Sequence, residues 1–172
     1  MIIRYFIILF IGLFLISVSS EAQKKRYKRQ VKKYKKAGIE NPINTNEVKP
    51  EEVMTSARYF LGVQYKMGGT GHDGLDCSGL IYVSFEKHGI QVPRTSTKQG
   101  RVGKFIPSIN RLQYGDMVFF HMNWNRKQLV NHVGFYLGGM EFIHVSSSKG
   151  CTISRLDDEY WKKGFLFGTR VW

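Results

Sequence analysis

The apolar pattern of this 172-residue chain changes period at Pro93, and that switch narrows the fold more than any other feature. Upstream, Val53, Ala57, Phe60 and Leu61 recur at helical spacing within Pro50–Gly62, with Glu51 and Glu52 in the first turn and Gly62 as a stop. A second helical pattern runs from Cys77 to His88 and closes on Gly89. Downstream, Met117–His121, Asn131–Leu137, Glu141–Ser146, Thr152–Ser154 and Leu166–Val171 are short β-branched or aromatic runs bounded by Gly, Asn or Asp. The gaps between these runs leave no room for helical crossovers, so the strands should be antiparallel. Helices first and strands after predict one α+β domain over residues 49–172, with N-terminal helices packed on a central antiparallel sheet.

The formal net charge of +13 invites a nucleic-acid reading, which the distribution of charge weakens. Residues 1–45 carry 10 Lys/Arg and 2 Glu, so most of the excess precedes the domain. An apolar stretch from Tyr5 to Val18 behind Arg4, followed by Ser19-Ser-Glu-Ala22, predicts a secretory signal over residues 1–22, cleaved after Ala22. An uncleaved anchor is the competing reading, against the positive-inside bias set by nine Lys/Arg in Lys24–Lys36. Residues 23–48 have little to bury and read as a flexible basic linker. Either it makes electrostatic contact with an anionic envelope surface or it is a solvated tether. Export argues against nucleic acid as a partner, and with no cysteine near the cleavage site a lipoprotein is not expected.

Two sequence signals suggest ligands that their context does not support. Gly69-Thr-Gly71-His-Asp-Gly74 matches the dinucleotide fingerprint GxGxxG, but a helix precedes it and Arg94 stands where the ribose-binding acid belongs. Its glycines are expected to let the backbone turn sharply and approach a bound substrate. A metal would need a short ligand pair, and Cys77, His121, His132 and His144 offer none of the CxxC or HxxxH kind. Neither metal nor cofactor is expected.

Leu75-Asp76-Cys77-Ser78-Gly79 is more informative, because it places a thiol in the first turn of a predicted helix. Unpaired N–H groups and the helix dipole there should favour the thiolate. Strand alternation groups His132 with Gly134 and Tyr136, and His144 with Phe142 and Ser146. If the two strands form a hairpin, a three-residue turn puts the histidines on one face, opposite or diagonal, and a two-residue Gly138-Gly139 turn puts them on opposite faces. The three-residue case yields nucleophile, base and orienting group in Cys77, His132 and His144. Unrelated strand histidines are the alternative. A catalytic Cys77 must stay free, so Cys151 is expected as a buried thiol on a strand. His88 is expected to cap its helix.

Taken in order, Tyr65-Lys-Met-Gly-Gly69, Leu75-Asp-Cys-Ser-Gly79, Pro93-Arg-Thr-Ser96 with Gln99, Gly115-Asp-Met-Val-Phe-Phe120, Asn131-His-Val-Gly134 and Phe142-Ile-His-Val-Ser146 resemble the NlpC/P60 family of papain-like cell-wall peptidases. The tail Asp158-Glu-Tyr-Trp-Lys-Lys163 is similar to murein endopeptidases of Gram-negative envelopes. The resemblance implies Cys77 as nucleophile, His132 as general base and His144 as the orienting residue. It also implies Tyr65 on the oxyanion side, with packing as the other role, and Asp76, Ser78 and Arg94 along the substrate groove. Gly115 and Asp116 read as a structural turn. The expected activity is that of an exported cysteine endopeptidase acting on peptidoglycan stem peptides in the periplasm, envelope or medium. A papain-like amidase or acyltransferase with another substrate, and a non-enzymatic binding protein driven by the basic arm, are the alternatives.

Overall fold

The computed structural model describes Lys25 and residues 28–36, 43–122 and 128–172. The expected signal, residues 1–22, and residues 123–127 lie outside the described residues. Residues 28–36 are helical (α1), which departs from the expected linker. Tyr34 near its end is buried, its ring 5.2 Å from Phe167 and 5.6 Å under the Arg101 guanidinium. One aromatic residue in a basic run therefore anchors the end of that run.

Tyr34–Trp172 form one compact unit. Helix α2 (Pro50–Arg58) starts on Pro50, with the Glu52 carboxylate accepting the Lys49 N–H at 2.9 Å, and buries Val53, Met54 and Ala57. The letter match to a dinucleotide loop is a small hairpin, β1 (Thr70–Gly71) with β2 (Gly74–Leu75). Its close approach is to the protein itself: a side chain at Gly79 would lie 2.2 Å from the Gly69 carbonyl oxygen. Glycine is thus required where the loop presses on helix α3 (Cys77–Glu86). Past α3, His88 does not cap the helix but bonds the Ser56 hydroxyl of α2 at 2.9 Å. A short helix α4 (Ser96–Gln99) and strand β3 (Lys104–Ile106) follow, both without a strong sequence pattern.

The remaining strands are β4 (Met117–Phe120), β5 (His132–Gly138), β6 (Glu141–Ser146), β7 (Gly150–Arg155) and β8 (Phe165–Arg170), with helix α5 (Glu159–Gly164) before the last. They build a six-stranded sheet of order β3-β8-β4-β5-β6-β7, every pair antiparallel. The α+β expectation holds, and both faces of the sheet are covered. Phe135 meets Phe85 of α3 at 5.5 Å on one face. On the other, Val118, Phe120, Tyr136, Phe142 and Leu156 form a core against which Trp161 and Phe165 pack. Burying each such aromatic ring contributes roughly 1.5–3 kcal/mol. Asp116, fully buried, takes a bidentate pair from Arg170 at 2.8 Å and so ties the last strand to the turn before β4.

Candidate active site

Cys77 is the first residue of α3. Asp76 caps that helix, its Oδ1 accepting the Gly79 N–H at 2.7 Å. The thiol is half-buried, free, and faced by the backbone amides of Val133, Ser78 and Cys77 itself. Val133 follows His132, so the start of α3 and the start of β5 meet at the sulfur. The expected thiolate is not the resting state. Burial, with the Asp76 carboxylate second, pushes the thiol up to about 11 and outweighs the amides.

The histidines share a face by a route the hairpin rule did not anticipate. The β5–β6 turn is the two-residue Gly139-Met140, both at positive φ. Alone it would send His132 and His144 to opposite faces. A bulge between Tyr136 and Gly138 inserts one residue and restores parity, so Gly134 pairs with His144 and the histidines lie diagonally. Gly134 admits this crowding, since a Cβ there would come within 3.0 Å of the His144 Cβ and 2.5 Å of the Ile143 carbonyl oxygen.

His132 Nε2 and His144 Nδ1 are 3.1 Å apart, and His144 Nε2 is 3.0 Å from Ser154 Oγ. His132 can act as a base only if its Nδ1 lone pair is free. That requires His132 Nε2–H to donate to His144 Nδ1, and His144 Nε2–H to donate to Ser154. Burial lowers His132 to about 4; burial, then the charges of His132 and Lys149, lowers His144 to about 2. Both rings are therefore neutral at physiological pH. Trp161 stacks on His132 at 5.4 Å and meets His144 edge-on at 4.6 Å, which accounts for much of that desolvation.

A cleft of about 540 Å³ is lined by Cys77, His132, His144 and Tyr65, the last 38% exposed and at its rim. Four of the expected residues are thus brought together. Asp76, Ser78 and Arg94 are not among the lining residues; they satisfy one another instead. Arg94 donates to both Asp76 oxygens at 2.9 and 2.8 Å, to Ser78 Oγ at 2.9 Å and to the Gly69 carbonyl at 3.1 Å. Burial would raise the Asp76 pKa, but Arg94, the Gly79 N–H and the Ser78 hydroxyl prevail and hold it below 3.8. Asp76, Ser78 and Arg94 thus clamp the glycine loop to the helix that starts at Cys77. Cys151 is a buried thiol on β7.

Ser154 and Trp161 were not singled out from sequence. The signal for Ser154 was strand alternation: His144 pairs directly with Thr152, and Ser154 lies two residues further along the same face, opposite Phe142. For Trp161 it was the tail motif itself.

Comparison with known proteins accounts for the arrangement. The NlpC/P60 family model matches residues 62–170. The probable endopeptidase NlpC homolog of Haemophilus influenzae is 33% identical over 161 residues, covering 91% of this chain and 84% of that protein. The murein DD-endopeptidase MepS/murein LD-carboxypeptidase of Escherichia coli K12 is 35% identical over 134 residues, covering 77% and 68%. Among solved structures, an NlpC/P60 family protein from Bacillus cereus superposes with a TM-score of 0.65 at 29% identity. The match covers 72% of this chain and 40% of that longer one, so the likeness is to one part of it. A helix-capped thiol beside a buried histidine pair on an antiparallel sheet agrees with these matches, and the chain belongs to the NlpC/P60 family as a peptidase.

Proposed function

We propose that this protein is an exported cysteine endopeptidase that hydrolyses amide bonds in peptidoglycan stem peptides through Cys77, His132 and His144. The observation that carries the reading is the run of contacts from His132 through His144 to Ser154 in the cleft that the Cys77 thiol lines. Relatives named as murein endopeptidases support the substrate class.

With the thiol raised to about 11 and His132 lowered to about 4, the resting pair is neutral. Proton transfer from sulfur to His132 Nδ1 accompanies attack of the sulfur on the amide carbon. The developing oxyanion is held by N–H groups at the start of α3, with Tyr65 at the rim. His132 passes its proton to the departing amine as the C–N bond breaks, leaving a thioester on Cys77. Water, deprotonated by His132, attacks the thioester and restores the thiol.

The test is digestion of purified peptidoglycan by the wild type and Cys77→Ala, read by mass spectrometry of the released muropeptides. The expected result is defined peptide fragments from the wild type and none from Cys77→Ala at unchanged thermal stability. Equal release by both proteins overturns the proposal. Product masses also separate peptide-bond hydrolysis from acyl transfer to another nucleophile.

A further inference from the structure

The Asp76–Arg94 ion pair leaves the cleft without the cation that the sequence assigned to it, yet the cleft does hold one. Lys149 lines the same cleft as the thiol and the histidine pair. It sits in the turn between β6 and β7, whose tightness depends on Gly150 at φ +70°, where a Cβ would lie 2.4 Å from the Val63 carbonyl oxygen. The turn is therefore seated against the Phe60–Gln64 segment, with the Cys151 N–H donating to Val63 at 2.8 Å and the Gly62 N–H to Cys151 at 2.9 Å.

The charge balance is one-sided. Among the described residues no Asp or Glu lines the cleft, and Lys149 has no carboxylate partner. Burial keeps both histidines neutral near pH 7. The Lys149 ammonium is then the one formal charge among the described lining residues. It is near enough to His144 to oppose that ring's protonation. Hydroxyls of Ser147 and Thr152 share its wall and can donate to an oxyanion. An uncompensated cation beside hydroxyl donors, opening on a nucleophile, is complementary to an anionic group on the bound molecule.

We propose that Lys149 and the β6–β7 turn form a carboxylate subsite, so that the preferred substrate is a peptide bearing a free carboxylate next to the amide that is cut. This rests on the peptidase reading above and adds a specificity determinant to it. The ammonium is exposed, so the expected discrimination is about fivefold and fades with added salt.

The test crosses substrate charge with enzyme charge. Stem peptides in which each carboxylate in turn is replaced by a carboxamide are assayed with the wild type, Lys149→Gln and Lys149→Arg. One carboxamide should lower wild-type kcat/KM about fivefold, mainly through KM, and Lys149→Gln should lower it about as much on the parent peptide. The two losses should overlap when combined, and Lys149→Arg should retain the preference. Losses that multiply, or parent-peptide kinetics unchanged in Lys149→Gln, overturn the subsite while leaving the peptidase assignment standing. If the wild type cleaves no peptide, the peptidase substrate reading fails. The subsite is then judged by calorimetric binding of an acetylated dipeptide acid and its carboxamide to Cys77→Ala, with and without Lys149→Gln. Tighter binding of the acid only when Lys149 is present supports the subsite, and equal binding of acid and amide refutes it.

Discussion

Ser154→Ala removes the last acceptor in the imidazole chain without touching the thiol. With His132 as the base, the order of donors must run from His132 Nε2 to His144 Nδ1, 3.1 Å apart, and from His144 Nε2 to Ser154 Oγ, 3.0 Å apart. His144 is buried in the folded protein, and the substitution takes from its Nε2–H the hydroxyl that fixes the ring's tautomer. The reversed order, with His144 Nδ1–H donating to His132, becomes relatively easier and puts a proton on His132 Nδ1, where no base then exists. When His132 becomes an imidazolium during acylation, its charge is also spread along the chain, and a hydrogen bond to a charged donor is worth about 1.5–3 kcal/mol. Because the second imidazole relays this effect, the lower end applies, and kcat/KM should fall about tenfold. Peptide hydrolysis measures the loss, and 15N spectra of labelled histidine report the tautomers directly. Denaturant unfolding of the same variant separates a loss of folding from a loss of tautomer. The expected result is a lowered kcat/KM with a changed His132 tautomer, partly restored by Ser154→Thr. Activity within a factor of about two of the wild type, with the tautomer unchanged, would refute the argument.

Acid should destabilise the fold through the same two rings. Their pKa values lie at about 4 and about 2 in the folded protein against 6.5 for an unperturbed histidine, so between those values the unfolded chain binds more protons. Stability is complete above about pH 6.5 and should fall as pH drops below it, by up to roughly 2 kcal/mol per ring by pH 5. Urea titrations at pH 7.5 and 5 should show a smaller acid loss for His144→Gln than for the wild type; equal losses would mean the buried neutral state is wrong. Activity should likewise decline only on the acid side, as His132 gains the proton it must leave off to act as a base. Arg94→Gln should cost about 1–3 kcal/mol of stability, because it strips both bonds from a half-buried carboxylate. It should leave the discrimination between acid and amide substrates in place, and a selective loss of that discrimination would return Arg94 to the groove.

Much of the site was legible because it depends on local patterns. A thiol after Asp76 and before Ser78-Gly79 marks a capped helix start, and alternation along β5 and β6 names the faces of His132 and His144. The five strand runs were legible for the same reason, since each is a short β-branched or aromatic stretch bounded by turn formers. Tyr34 and α4 were not, because a single anchoring ring and four helical residues leave almost no periodic signal.

What sequence alone determined was which residues offer a thiol or an imidazole and which secondary elements present them, because thiol, imidazole and apolar period are properties of the chain itself. Tertiary structure decided how those residues behave. A one-residue bulge set the parity of the histidines, burial raised the thiol and lowered the rings, and a long-range pair joined Arg94 to Asp76. Each of these depends on segments distant in sequence meeting in space. That meeting, with the water it removes, sets charge states and partners that no local pattern encodes.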